Sequence, residues 1–255
     1  MKIKKKIYIF FISLFFIEIS FANEIEFNSS NIKILEKGNL IKAYKATANI
    51  PKENITISGD NASYYKTKKI LLLENNVKFF DNKKNIYLEA NKVIYNQNKN
   101  LIYTIGKTFV KIEDNYEVFS NDLYYDRLSM LMYSDEETII KDKQDNIFNF
   151  EEKFTFRIVE EIIKSKLTSI IDNENNKYIF EDVIVNLKNS EVAGKDIKID
   201  FKDSYFGNEK NDPVLKGRSA VSDENNTKIY KAVFSTCNIQ NKKCRGWELK
   251  SEELN

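Results

Sequence analysis

The sequence predicts an all-β fold of stacked antiparallel strands, and three observations predict it. Segments recur without gaps at a spacing of thirty residues. Tyr, Phe, Ile, Val and Thr dominate the short runs within each unit, and these residues favour a pleated, half-buried surface. Polar clusters such as Asp81–Lys84 and Asn96–Lys99 separate the runs at positions suited to turns.

The chain opens on an address segment. Lys2, Lys4, Lys5 and Lys6 precede an apolar run from Ile7 to Phe16 that continues past Glu18 to Ile19, and Ser20-Phe21-Ala22 supplies small residues where a signal peptidase cuts. Residues 1–22 are therefore expected to be a secretory signal peptide, with a mature chain from Asn23. The run is shorter than the ~20 apolar residues of a spanning helix.

Residues 23–145 form the repeat region. Asn61-Ala-Ser-Tyr-Tyr65, Asn91-Lys-Val-Ile-Tyr95 and Asn121-Asp-Leu-Tyr-Tyr125 align at the period; Leu71, Leu101 and Leu131 follow six residues later, and Phe79, Phe109 and Ile139 match farther on. Each unit reads as a strand, a turn and a returning strand, and such units bury their faces by stacking on one another. An ordinary β-sandwich is the competing reading, and the gapless match of three columns argues against it. Residues 146–255 continue the strands. Phe156, Val159, Ile163, Leu167 and Ile170 fall near helical spacing, but alternation resumes at Tyr178–Phe180, Val183–Val185 and Ile197–Phe201, which favours strands throughout. Asp172–Asn176 and Asn208–Asp212 are expected turns.

Composition narrows the chemistry. The formal charge is +2 and no basic block follows the signal, so nucleic acid is not expected as a partner. The chain has no His, which removes the commonest general base and metal ligand; no metal, cofactor or catalytic residue is expected, and the chain is not read as an enzyme. Carboxylate pairs such as Asp122 with Asp126 or Glu181 with Asp182 have turn and surface roles available to them. Cys237 and Cys244 are too few for a zinc shell. In an exported chain a disulfide between them is the first choice, with free or intermolecular thiols as the alternative.

The repeat, with Ala or Ser before a Tyr-ending strand and Asn76-Val77 or Gly106 before the next, resembles the organic-solvent-tolerance (OstA) domain shared by the lipopolysaccharide-transport proteins LptA, LptC and LptD. Farther on, Asn211-Asp-Pro-Val-Leu-Lys-Gly217 and Val233-Phe-Ser-Thr-Cys237 followed by Cys244-Arg-Gly-Trp247 resemble the segment that precedes the membrane barrel in the LptD branch. The prolines usual between cysteine and tryptophan are missing here, and no barrel strands follow within the 255 residues. The resemblance covers roughly residues 45 to 255.

That resemblance implies a twisted β-jelly roll with an open hydrophobic groove. It implies lipopolysaccharide as ligand, a periplasmic location associated with the outer membrane, an LptA-like bridge protein joined by edge-strand addition, and delivery toward an outer-membrane barrel and its lipoprotein partner. The groove's inward set is then expected from Tyr65, Leu71, Leu73, Val77, Phe79, Val93, Tyr95, Leu101, Ile105, Phe109, Leu123, Tyr125, Leu131 and Ile139. Periodicity alone does not tell a filled core from an open groove. The expected joining edge lies near residues 40 to 60, where Pro51 blunts it locally. A free-standing LptA-like bridge and a polysaccharide-binding β-solenoid are the alternative functions.

Overall fold

The computed structural model describes residues 25–201, 213–223, 226–235 and 248–255. Residues 1–22, expected to be a signal peptide, the turn expected at Asn208–Asp212, and Cys237, Cys244 and Trp247 lie outside the described residues. The rest is a single antiparallel sheet of strands β1 (Glu26–Asn28), β2 (Asn31–Leu35), β3 (Leu40–Ile50), β4 (Ile55–Tyr65), β5 (Ile70–Asp81), β6 (Ile86–Asn96), β7 (Leu101–Ile112), β8 (Tyr116–Asn121), β9 (Tyr124–Asp126), β10 (Leu131–Ser134), β11 (Thr138–Asp142), β12 (Ile147–Arg157), β13 (Ile162–Ile171), β14 (Lys177–Asn186), β15 (Glu191–Asp200), β16 (Val214–Ser222), β17 (Thr227–Ser235) and β18 (Glu248–Leu254). Helical backbone among the described residues is confined to two three-residue 3-10 turns, Glu36–Gly38 and Pro51–Glu53. The sheet is a jelly-roll-like stack, as the sequence predicts.

The thirty-residue period is two strands and two turns. From β3 to β15 the turns at the two rims each contain a residue in the left-handed region: Asn54, Asn85, Glu113, Asp145 and Asn175 along one rim, and Lys69, Asn100, Met130, Glu161 and Ser190 along the other. Asn and Asp tolerate this backbone better than other non-glycine residues, and they hold four of the five such positions on the first rim. Successive turns are tied together by backbone bonds. On the second rim the N–H of Lys66 donates to the Asn39 carbonyl (2.9 Å), Gln97 to Lys69 (3.0 Å), Arg127 to Asn100 (3.1 Å), Ile158 to Met130 (3.0 Å) and Leu187 to Glu161 (2.9 Å).

Halfway along, the strands bulge. Ladder register shifts between Ser58 and Asn61, Glu74 and Val77, Ala90 and Lys92, and Glu152 and Thr155. Left-handed backbone marks Lys45, Asn76, Gly106, Lys153, Leu167, Asp196 and Lys231. A bulge bends its strand and increases the twist. The bulges of neighbouring strands line up into a crease, and the strand halves on either side of it form two layers around a shared core. Rings from opposite layers meet there edge to face: Phe79 with Tyr125 at 6.5 Å and Tyr116 with Phe156 at 5.7 Å. Gly106, with φ +79, is a crease residue that no other type fits without strain, and an added Cβ would meet nothing within 4 Å. Gly106→Ala should therefore cost backbone strain alone, about 1–2 kcal/mol, read as a shift of the urea midpoint.

The core runs in columns. Tyr64, Tyr95 and Tyr125 form one, Leu71, Ile102 and Met132 a second, and Phe79, Val110 and Ile140 a third, all buried. Their spacing is thirty-one residues and then thirty, one longer at the first step than the sequence alignment. A slip of one residue moves a strand's side chains to the opposite face, and this corrects part of the expected inward set. Leu71, Leu73, Val77, Phe79, Val93, Tyr95, Leu123 and Tyr125 face inward, each at most 1% exposed. Tyr65, Leu101, Ile105, Phe109, Leu131 and Ile139 face outward, next to the inward Tyr64, Ile102, Thr104, Val110, Met132 and Ile140.

Two further points differ from, or decide between, the sequence readings. The joining edge is not at residues 40 to 60, because β3 is paired on both sides, with β4 and with β1 and β2. Those two short strands form the edge instead. Residues 147–171 are two strands joined by a turn, not a helix: Leu167 has left-handed backbone and Val159 lies in the turn, both exposed, so the helix-like spacing joins residues that share no face.

Candidate functional site

In the first half of the roll the two rims are drawn together by a buried ionic cluster. Arg127, just after β9 on the second rim, reaches across to the first. Its Nε donates to Asp81 Oδ2 and its Nη1 to Glu53 Oε2, both at 2.8 Å, and its Nη2 donates to the Glu53 carbonyl at 3.1 Å. Asn100 Oδ1 accepts from Nη1 at 3.1 Å, and the Tyr95 hydroxyl donates to Glu53. The Asp81 side chain is fully buried. Burial works against the Arg127 charge, but the hydrogen bond and charge of Asp81 outweigh it and raise the guanidinium above its ordinary range. Burial likewise pushes the Tyr95 hydroxyl well above its usual range, and its bond to Glu53 pushes the same way. A second stitch follows where the Tyr116 hydroxyl donates to Glu161 Oε2 at 2.5 Å.

Farther along, the rims part. A cavity of about 330 Å³ opens between the layers. Phe148, Ile170, Phe180, Ile197 and Ile199 line one wall, and Val185, Leu187, Val192 and Ala220 the other. Asp142, Gln144, Asn146 and Asp172 stand on one rim of this slit, and Ser190, Ser222 and Thr227 on the other. β12 fills the core with Phe148, Phe150, Phe154 and Phe156, whose rings succeed one another at 6.5, 5.3 and 6.5 Å. Later strands bring Gly194, Gly217 and Ala220. Gly194 lets the Phe180 ring lie against the backbone, for a Cβ there would fall 2.3 Å from Phe180 Cδ1. Gly217 does the same for Ile229, whose Cγ2 lies 2.2 Å from where a Cβ would stand.

The slit's carboxylates serve their own turns. Asp142 accepts from the N–H of Gln144 and of Asn146, each at 2.9 Å, and from Asn146 Nδ2 at 2.8 Å; Asp172 accepts from the N–H of Glu174 and of Asn176 and from the Tyr178 hydroxyl at 3.0 Å. The carboxylates considered for catalysis lie elsewhere. Asp122 Oδ1 holds the N–H of Gly106 at 2.7 Å in the crease. Asp126 is partly desolvated, but bonds from Ser129 and Leu128 hold its carboxyl below the usual range. Asp182 lies on the outer face opposite Lys166 and Lys195, and Glu181 is exposed.

None of the fourteen expected groove residues lines this slit. The eight inward ones fill the closed half, and Phe109 and Ile139 come together with Phe119 in a shallow trough on the outer face. Sequence reasoning also missed Arg127. Its signal was present, since it is one of four arginines in a chain with forty Lys and Arg residues, and a planar five-donor fork suits a buried pair of carboxylates. A scan of protein-family models finds none that matches this chain, and a search of the curated proteins finds no match.

Proposed function

We propose that the chain is the periplasmic section of a lipopolysaccharide-transport assembly, in which the slit takes acyl chains of the lipid and passes them toward an outer-membrane barrel. The observation that carries this reading is an apolar-walled opening between the layers of a folded sheet. Leaving a methylene in water forgoes about 0.8 kcal/mol, so a lipid with several chains needs a continuous lining to cross an aqueous compartment. Alternation along the strands turns apolar side chains inward and polar ones outward, and in the second half that inward set lines the slit. The edge strand β2 supports a docking role, since it pairs on one side with β3 and leaves Ile32, Ile34 and Leu35 exposed. Strand addition by a similar jelly roll would cover it.

The test is photocrosslinking in cells that make lipopolysaccharide, with a photoreactive residue at Phe180 or Ile199 in the slit and at Phe109 on the outer face. Lipid adducts from Phe180 and Ile199, and not from Phe109, are the expected result. Adducts confined to Phe109, or none at all, would overturn the reading.

A further inference from the structure

We propose that Arg127 is a clasp that shuts the first half of the slit, so that at rest the roll accepts a single acyl chain and takes more only when the clasp opens. This rests on the reading of the slit as an acyl-chain site and adds its regulation.

The clasp lies where closure is decided. Glu53 and Asp81 belong to one rim, and Tyr95, Asn100 and Arg127 to the other. Behind it the core is closed: Phe79, Tyr95 and Tyr125 are fully buried. Beyond it the Tyr116–Glu161 bond joins the rims once more, and past that bond the same two layers separate around the cavity, where Asp142 and Asp172 turn back onto their own turns.

The chemistry of the clasp suits a gate better than a permanent seam. Apolar side chains of similar volume hold layers together at least as well as a buried ion pair does. An ionic clasp differs in its open state, because each separated charge regains water, which lowers the cost of parting the rims. Glu53 already keeps 15% of its side chain exposed, so solvent reaches the clasp from that side. Size points the same way. At about 330 Å³ the cavity lies at the low end of ligand pockets, which run from about 300 to 1,000 Å³. It has room for one chain, and a lipid with several needs the layers parted beyond the cavity, under the rims that Arg127 joins.

The experiment counts palmitate bound to the full chain by native mass spectrometry. Glu53→Gln and Tyr95→Phe each remove one link of the clasp and keep the Arg127–Asp81 pair, so the fold is retained, as circular dichroism verifies. The unaltered chain should saturate at one palmitate, and both variants at two or more. One palmitate in all three proteins would overturn the clasp and leave the slit standing as a lipid site. Two or more in the unaltered chain would also overturn the clasp, since nothing would then be shut. No palmitate in any of them would sink the lipid reading, and the clasp with it.

Discussion

Arg127→Met should lower the unfolding free energy by about 3–5 kcal/mol, the usual cost of removing one partner of a buried ion pair. The magnitude follows from what is left behind. Asp81 is fully buried, and without the guanidinium it retains a bond from the Lys84 N–H at 3.2 Å but no counter-charge. Glu53 and the Tyr95 hydroxyl lose their shared partner as well. Urea unfolding followed by far-ultraviolet circular dichroism gives the number. Adding Asp81→Leu to Arg127→Met should recover much of the loss, because the stranded charge is then gone. A loss below about 1 kcal/mol, typical of solvated surface pairs, would show that water already occupies the cluster.

Phe79→Ala is expected to cost a similar amount, about 3–5 kcal/mol. The ring is fully buried, packs edge to face on Tyr125, and sits in the half of the roll that is already filled. Its removal leaves a void that neighbouring strands, held by their ladders, cannot collapse. Phe180→Ala makes the informative contrast. That ring borders the existing cavity, so fewer contacts vanish, and the loss should be clearly smaller while the slit widens. Equal losses at the two sites would mean that the two halves are equally well packed. The measurement is again the urea midpoint, compared at constant slope.

Much of the strand and turn pattern was legible in the sequence, because it depends on local chemistry. Asp81–Lys84, Asn96–Lys99 and Asp172–Asn176 lie at chain reversals, where a polar cluster with one residue in the left-handed region sends the strand back. The facing of side chains was less legible. Aligning Tyr65 with Tyr95 and Tyr125 looks natural in letters, yet the structural counterpart is Tyr64, because the first unit is one residue longer than the second. Mid-strand bulges compound this: in β13 the inward residues Ile163 and Ser165 give way to Thr168 and Ile170 past Leu167, which breaks the alternation. Sites made by partnership across the fold were not legible at all. Glu53, Asp81 and Arg127 are scattered along the chain, and only the crease brings their rims together.

The crease also decides how one sheet comes to enclose an interior. Along that line Leu167, Asp196 and Lys231 take left-handed backbone while the register of their strands runs on unbroken past them. Each long strand therefore serves both leaves of the fold, and a single ladder lines the core from two sides.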